Sequence, residues 1–201
     1  MLPELCPGDC EALLFDWDGT LVNSQHANFR AMAETLAPHG VTLRQDWFGA
    51  RTGLSSADMI HALLEEHCVR LEEPVEDLVA ARDQRFLENA AQIRVHKDVA
   101  DVVHAFQGSL PMAIASGGSR RIIETVLRHL PLRDCFAALV TRDEVQRGKP
   151  APDIFLRAAG ALAVAPARCL VYEDSDEGIA AALTAGMSVI DVRPVTRACS
   201  C

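Results

Sequence analysis

Short apolar runs alternate with longer amphipathic stretches along most of this chain. The apolar runs are rich in Val, Ile, Leu and Ala, which is typical of strands buried on both faces of a sheet. We predict strands at Ala12 to Asp16, Met112 to Ser116, Ala138 to Thr141, Cys169 to Tyr172 and Ser188 to Val192. Helical patterns follow them at about 98–107, 119–130, 152–163 and 176–185. This alternation predicts an α/β fold with a doubly wound, Rossmann-like parallel sheet.

The region after the first strand breaks this rhythm. It contains no convincing strand pattern, and its apolar residues recur at helical spacing instead. The expected helices run from Gln25 to Pro38, from Ser55 to Val69 and from Glu73 to Ala91. We therefore expect an all-helical cap domain at 24–93, inserted into a catalytic core formed by 1–23 and 94–201.

Composition narrows the function classes. The 201 residues are 49% apolar, so the chain can bury a substantial core and fold alone, as a monomer or a weak dimer. The formal charge of −9, without a clustered basic run, argues against binding to nucleic acids or anionic membranes. No apolar run approaches the length that spans a membrane, so we expect a soluble, cytoplasmic protein.

Polar residues follow four of the predicted strands. Ligands of open parallel sheets bind at the carboxyl ends of the strands, so these residues are candidates for one shared site. They are Asp16-Trp17-Asp18-Gly19-Thr20, Ser116-Gly117-Gly118, Lys149 and Glu173-Asp174. Each group alone also fits a turn, a helix cap or a solvated loop. The presence of all four at strand ends favours a reactive site.

The carboxylates of this site predict a divalent metal ion. Asp16 and Asp18, one residue apart, can act as nucleophile and proton donor if both face one cleft. Glu173 and Asp174 would add further negative charge, which requires a cation. Hard oxygen ligands favour Mg²⁺ over zinc, and the seven cysteines form no Cys-x-x-Cys pair that would favour zinc.

The remaining motif residues suit a phosphoryl group. The Ser116 hydroxyl and the amides of Gly117 and Gly118 lie at the start of a predicted helix, where they can donate hydrogen bonds to phosphoryl oxygens. The Lys149 ammonium can neutralise the charge of the same group. We therefore expect the partner to be a small phosphorylated metabolite.

These motifs resemble those of the haloacid dehalogenase-like hydrolase superfamily. The resemblance rests on the runs Phe15 to Leu21, Ala115 to Gly117, Gly148 to Phe155 and Val171 to Gly178. The resemblance covers nearly the whole chain. Within the superfamily, the chain is similar to the branch with a helical cap after the first strand. That branch contains β-phosphoglucomutase-like, phosphoglycolate-phosphatase-like and sugar-phosphate phosphatase members.

The resemblance implies a role for each motif residue. Asp16 would attack phosphorus to form an aspartyl-phosphate, while Asp18 would protonate the leaving oxygen and later activate water. Ser116, Gly117 and Lys149 would bind the phosphoryl group. Mg²⁺ would be held by Asp16, the Asp18 backbone carbonyl and Asp174, with Glu173 ligating it directly or through water.

Other chemistries of the superfamily fit less well. Dehalogenases need no leaving-group acid, which Asp18 supplies here, and phosphonate cleavage needs a cap lysine, whereas Lys97 and Lys149 both fall in the predicted core. A phosphosugar mutase would use a cap arginine to hold a second phosphate, and Ser56 stands at that position. Asn28 replaces a cap-facing histidine of the mutase pattern.

Two arginines of the predicted cap are candidates for substrate contact. Arg82 matches a cap lysine of the mutase pattern, and it could equally be a solvated arginine on a helix face. Arg51 could belong to a substrate-facing loop or to a helix-entry turn. With Asn28 and Ser56, these residues form the predicted specificity set.

The sequence thus predicts a Mg²⁺-dependent phosphatase for small phosphate monoesters. Three stretches, Val99 to Phe106, Leu110 to Ser116 and Gly148 to Phe155, resemble bacterial phosphatases that act on fructose 1-phosphate and related sugar phosphates. A phosphosugar mutase of the β-phosphoglucomutase type is the first alternative. The second is a non-catalytic protein that binds phosphorylated metabolites.

Overall fold

The computed structural model describes residues 10–51, 54–71 and 73–196. Its main feature is a parallel sheet of five strands, β1 (Ala12–Phe15), β4 (Met112–Ser116), β5 (Ala138–Thr141), β6 (Cys169–Glu173) and β7 (Ser188–Asp191). The spatial order is β5-β4-β1-β6-β7, so the first strand is central. All neighbouring pairs are parallel, which confirms the predicted fold class.

Helices cover both faces of this sheet. One apolar cluster contains residues of α5 (Lys97–Phe106) and α6 (Arg120–Leu127), packed against Leu13 and Phe15 of β1. A second contains residues of α7 (Asp153–Ala161) and α8 (Asp176–Thr184), packed against Ala12 and Leu14. Successive side chains of β1 point to opposite faces of the sheet, and helices cover both faces. Every residue of β1 is therefore buried. The strand therefore reads as one continuous apolar run.

In the described part of the chain, four α-helices lie between Asn23 and Arg94. They are α1 (Gln25–Leu36), α2 (Gln45–Gly49), α3 (Ser56–Glu66) and α4 (Val75–Leu87), here called the helical segment. Its apolar side chains form a third cluster, which includes Met32, Phe48 and Met59. The chain leaves and re-enters the sheet region through a short antiparallel ribbon, β2 (Val22–Asn23) and β3 (Arg94–Val95). The two connections to the helical segment therefore lie side by side.

Several element bounds differ from the sequence prediction. The first helix ends at Leu36, where a short 3-10 turn at Ala37–His39 accommodates Pro38. The fourth begins at Val75 because Pro74, which cannot donate a backbone hydrogen bond, precedes it. The short helix α2, the ribbon β2–β3 and the terminal helix α9 (Arg193–Thr196) were not predicted.

An arginine lies at each outer strand of the sheet. The Arg120 side chain donates to the Leu139 carbonyl oxygen of β5 at 2.7 Å. At the opposite side, Arg193 forms an ion pair with Asp191 of β7 at 2.6 Å. The outermost strands therefore carry bound cationic side chains.

None of the helices in the described part of the chain is both long and apolar enough to cross a membrane.

Candidate active site

The nucleophile predicted from the sequence follows directly on the central strand. The backbone amide of Asp16 donates to the Tyr172 carbonyl oxygen at 3.0 Å, which continues the pairing of β1 with β6. The Lys149 ammonium donates at 2.6 Å both to Asp16 Oδ1 and to Glu173 Oε2. All three side chains are buried. Asp16 Oδ2 takes part in no hydrogen bond with the described residues.

Glu173 is held on both carboxylate oxygens. Oε2 accepts from Lys149, and Oε1 accepts from the backbone amides of Asp174 and Ser175 and from the Ser175 hydroxyl. Gly178, near the start of α8, lies so close that a Cβ atom there would overlap the Glu173 carboxylate. The residue is thus tightly packed, and it fixes the Lys149 ammonium beside Asp16.

Three carboxylates can converge on one cation. Asp16, Glu173 and Asp174 each offer an oxygen atom, and these atoms lie within 4.8 Å of one another. Thr20 donates to Asp174 Oδ1 at 3.2 Å. Gly19, with a φ of +89°, passes so close to the Asp174 carboxylate that any Cβ would fill this space. The donor set consists of oxygen atoms, which suits a hard divalent ion.

The electrostatics of this cluster also favour a cation. Burial, and then the negative charge of Glu173, raise the pKa of Asp16 well above its ordinary value. The same two causes raise the pKa of Asp174 to about 7. Burial lowers the pKa of Lys149, but the carboxylates of Asp16 and Glu173 more than offset this, and its pKa is raised. One ammonium against two buried carboxylates and a partly buried one leaves excess negative charge, which a bound divalent cation would offset.

Asp18 presents one free carboxylate oxygen to the cleft. Its Oδ1 accepts from the Ser24 hydroxyl and, at 2.7 Å, from the Asn28 side-chain amide. Its Oδ2 has no hydrogen-bond partner among the described residues. The space that a Cβ on Gly118 would occupy lies 3.8 Å from this oxygen and 3.3 Å from Ser116 Oγ. The free oxygen therefore faces the loop that follows β4.

That loop has the geometry of an anion site. The backbone amide of Gly118 donates to Ser116 Oγ at 3.0 Å, and the loop continues into α6. Ser116 and Gly117 line the same cleft as Asp16 and Asp18. Positive partial charge at the start of α6 favours an anion at this position.

A path of hydrogen bonds joins Asp18 to this loop through the helical segment. Asn28 donates to Asp18, and its own side-chain oxygen accepts from Arg82. Arg82 donates to Asp83 at 2.8 Å, and Asp83 accepts from the Ser119 hydroxyl at 2.9 Å. Ser119 precedes α6 but makes no side-chain cap of that helix. The helical segment thus contacts both sides of the cleft.

The cleft is small and has an apolar roof. Its volume is about 40 Å³, and the roof is formed by Met32, Phe48, Leu54 and Met59 of the helical segment. Of the predicted specificity residues, Asn28, Ser56 and Arg82 line it. Arg51 is not among its lining residues, because its guanidinium packs over the Trp47 ring, 4.2 Å from the ring centroid.

Comparisons with known proteins show the family of this chain. A family model described as haloacid dehalogenase-like hydrolase matches residues 10–186. The chain belongs to the haloacid dehalogenase-like hydrolases. It is 35% identical over 184 residues to fructose-1-phosphate phosphatase YqaB of Escherichia coli, which covers 90% of this chain and 95% of that protein.

Solved structures show the same haloacid dehalogenase-like fold. CbbY from Rhodobacter sphaeroides in complex with phosphate superposes with a TM-score of 0.81 at 31% identity, covering 90% of this chain and 85% of CbbY. A β-phosphoglucomutase from Clostridium difficile reaches 0.82 at 22% identity, covering 90% and 84% respectively, and shares the fold. The relatives include named phosphatases, and the predicted enzyme class, a phosphatase of this family, is confirmed.

Some residues near this haloacid dehalogenase-like site escaped the sequence analysis. Ser24, Asp83 and Ser119 are residue types that are common in ordinary helix caps and on solvated helix faces. Only their contacts in the structure reveal that they lie near the site. Ser24 carried one usable signal, since it is a polar residue directly after the first motif and at the start of a predicted helix. Asp83 and Ser119 carried none, because they meet only after the helical segment packs over the sheet.

Proposed function

We propose that this hydrolase is a Mg²⁺-dependent phosphatase for small sugar phosphates such as fructose 1-phosphate. The observation that carries the proposal is the convergence of Asp16, Asp18 and Lys149 beside the loop that contains Ser116. One nucleophilic carboxylate, one carboxylate free to carry a proton and an anion-binding loop share a single cleft. The helical segment would act as the cap of this cleft.

The first half of the reaction transfers the phosphoryl group to Asp16. Lys149 occupies Asp16 Oδ1, so Oδ2 is the oxygen available to attack phosphorus. The new Oδ2–P bond forms as the bond between phosphorus and the leaving oxygen breaks. Asp18 Oδ2 donates its proton to that leaving oxygen, while Ser116 and the amides of its loop bind the phosphoryl oxygens.

The second half regenerates the enzyme with water. A water molecule attacks phosphorus, the Asp16–phosphorus bond breaks, and the water proton passes to Asp18 Oδ2. Asp18 is then protonated again, ready for the next substrate. Ser24 and Asn28 fix Asp18 Oδ1, so the oxygen that carries the proton keeps facing the cleft through both halves.

Asp16, Asp174 and the backbone carbonyl of Asp18 would hold Mg²⁺. Glu173 fits an outer position of the set, because both of its oxygens already accept hydrogen bonds. When bound, the ion would offset the charge of the carboxylates and of the phosphoryl oxygens.

A phosphosugar mutase is the competing assignment. It would need a cationic group on the roof to hold a second phosphate, and Ser56 carries no charge. The Arg82 guanidinium is paired with the buried Asp83 carboxylate at 2.8 Å, so its charge is already offset. The cleft therefore favours a substrate with one phosphate group.

The deciding experiment measures Mg²⁺-dependent release of phosphate from para-nitrophenyl phosphate and from a panel of sugar phosphates. We expect turnover by the wild-type protein and none by Asp16→Asn. Absence of wild-type turnover across the panel would support a binding protein instead of an enzyme. Conversion of β-glucose 1-phosphate that depends on glucose 1,6-bisphosphate would restore the mutase assignment.

A further inference from the structure

A large groove adjoins the reaction cleft. It has a volume of about 620 Å³ and is lined by residues of α1 and α2 and by the connections that follow β1, β3 and β6. Two side chains, Gln25 of α1 and Phe48 of α2, line both the groove and the reaction cleft. The two spaces therefore meet at these side chains.

The reaction cleft alone is too small for a sugar phosphate. Its volume of about 40 Å³ leaves room for roughly three water molecules, which is close to the space that a phosphoryl group needs. The rest of the substrate must extend into a neighbouring space.

Volume favours the groove as that space. Typical small-molecule sites measure roughly 300–1,000 Å³, and the groove falls within this range. A side pocket, which shares Ser56 and Gly117 with the cleft, measures only about 140 Å³. The groove can therefore hold the carbohydrate part of a substrate, whereas the side pocket is smaller than such sites usually are.

The polar side chains of the groove suit hydroxyl groups. Amide and imidazole groups can each donate and accept hydrogen bonds, as hydroxyl groups do. Four such side chains line the groove and form no hydrogen bond with the described residues: Asn23, His26, Gln45 and His96. Among the described lining residues, Asp174 carries the one formal charge, and it belongs to the proposed Mg²⁺ ligands. A neutral, hydroxyl-rich ligand therefore fits this lining better than a second phosphate group.

The groove also has an aromatic wall. The rings of Phe29 and Phe48 both line it, and they meet edge to face with 5.7 Å between their centroids. The carbon–hydrogen faces of a sugar can pack against such rings while its hydroxyl groups bond to polar side chains. Aromatic and neutral polar groups together are a lining that a carbohydrate can use.

Gln25 lies where the cleft meets the groove, and its amide is only weakly engaged. Its Nε2 is 3.4 Å from the backbone carbonyl oxygen of Asp18, which is long for a hydrogen bond, and its Oε1 has no partner among the described residues. The side chain is half-buried. The amide can therefore turn to a ligand hydroxyl group at little cost.

We propose that the groove binds the hydroxyl-bearing part of a sugar monophosphate and that Gln25 binds the hydroxyl group nearest to the phosphate. The proposal rests on the proposed function, since it places the phosphate in the reaction cleft. Gln25 would then distinguish a sugar phosphate from inorganic phosphate, which occupies the cleft alone.

The test is calorimetric binding to the Asp16→Asn protein, which cannot turn the ligand over. Fructose 1-phosphate and inorganic phosphate are the two probes, both with Mg²⁺ present. Gln25→Met keeps the length of the side chain and removes its hydrogen-bonding groups. We expect it to weaken fructose 1-phosphate binding about three- to tenfold and to leave phosphate binding unchanged.

Two bulky substitutions distinguish the groove from the side pocket. His26 is exposed and lines the groove, so His26→Trp should narrow the groove and weaken fructose 1-phosphate binding by about threefold or more. The matched control is Ala57→Trp, because Ala57 is half-exposed and lines the side pocket without lining the cleft. It should change the binding of neither probe, and unchanged phosphate binding also shows that both variants are folded.

Other outcomes overturn the proposal. Weaker fructose 1-phosphate binding in Ala57→Trp would place the sugar in the side pocket, whatever His26→Trp does. Equal loss of both probes in Gln25→Met would show that Gln25 only supports the phosphate site, and no loss of either would show that it contacts no ligand.

A failure of the proposed function would look different. The wild-type protein would then turn over no sugar phosphate, and the Asp16→Asn protein would bind none before any change in the groove. The comparison of groove variants therefore tests the sugar site separately from the enzyme assignment.

Discussion

At the scale of single residues, Asp18 differs from Asp16 in the kind of donor that binds its Oδ1 oxygen. Asp16 Oδ1 is bound by a cation, Lys149, whereas Asp18 Oδ1 is bound by the neutral donors Ser24 and Asn28. In the proposed mechanism, the oxygen that these contacts leave free is the nucleophile on Asp16 and the proton carrier on Asp18.

This assignment predicts a dependence on the leaving group for Asp18→Asn. The side-chain oxygen of asparagine can still accept the hydrogen bonds from Ser24 and Asn28, but the residue carries no transferable proton. We expect turnover of alkyl phosphates to fall about 10²–10⁴-fold and that of aryl phosphates to fall less, because phenolate leaves without prior protonation. Steady-state rates on both ester classes measure this. An equal loss on both classes would contradict the proton-donor role.

A second residue-scale prediction concerns pH and Mg²⁺. Burial and the charge of Glu173 raise the pKa of Asp174 to about 7, so we expect a proton to compete with Mg²⁺ for this carboxylate below pH 7. The Mg²⁺ concentration for half-maximal activity should therefore rise as the pH falls from 8 to 6, by up to about tenfold per pH unit below the pKa. Titrations with Mg²⁺ at several pH values test this. A half-maximal concentration that stays constant over this range would exclude competition at Asp174.

At the scale of elements, the start of α8 is built around Glu173. Ser175 caps the helix by accepting from the Gly178 amide at 3.1 Å, and Gly178 leaves room for the Glu173 carboxylate. A methyl group at Gly178 would push Glu173 away from Lys149. The position of this helix and the position of the lysine are therefore linked.

We expect Gly178→Ala to destabilise the protein by about 1–3 kcal/mol, through overpacking, and to reduce turnover. Gly160→Ala is the matched control, because Gly160 is exposed in α7 and a Cβ there meets no atom within 4 Å. It should stabilise the protein by about 0.5–1 kcal/mol and leave activity unchanged. Denaturant unfolding and turnover assays compare the two. Similar stability of both variants would show that Glu173 can move freely.

The elements also show which parts of the fold a sequence can predict. The central strands were predicted to within one residue, because strands buried on both faces are continuous apolar runs. The helix α2 was missed because its five residues are too short to show a helical period, and β2 and β3 have two residues each. Their pairing depends on where the helical segment leaves the sheet, which no local pattern encodes.

The same distinction applies to the site. Asp16, Ser116, Lys149 and Asp174 could be predicted because they follow strands whose ends meet at one edge of the sheet. The contacts of Asp83 with Ser119 could not, since residues 36 positions apart meet there across two packed layers. Whether 24–93 forms a separate domain also stays a prediction.

At the scale of the whole molecule, we expect the excess of carboxylates around Asp16 to link metal binding to stability. If Mg²⁺ binds the folded chain and not the unfolded chain, it should raise the free energy of unfolding by about 2.7 kcal/mol when its concentration is one hundred times its dissociation constant. We expect a rise of several degrees in Tm, which a chelator reverses. Thermal unfolding of the wild type and of Asp174→Asn, with and without Mg²⁺, tests this.

Asp174→Asn should show a much smaller shift with Mg²⁺, because it has lost one of the carboxylates. Its Tm without metal should equal or exceed that of the metal-free wild type, since one source of repulsion is gone. A large shift with Mg²⁺ in this variant would mean that the ion stabilises the protein from another site.

The arginines at the outer strands affect how copies of the chain meet. An outer strand with free backbone groups can pair with the same strand of another copy and start aggregation. Arg120 already occupies the Leu139 carbonyl of β5, and it also pairs with Glu124 and Glu144. A second copy would have to break these contacts and bury charge before the two sheets could join. We therefore expect the Arg120 guanidinium to hinder edge-to-edge polymerisation at this side of the sheet.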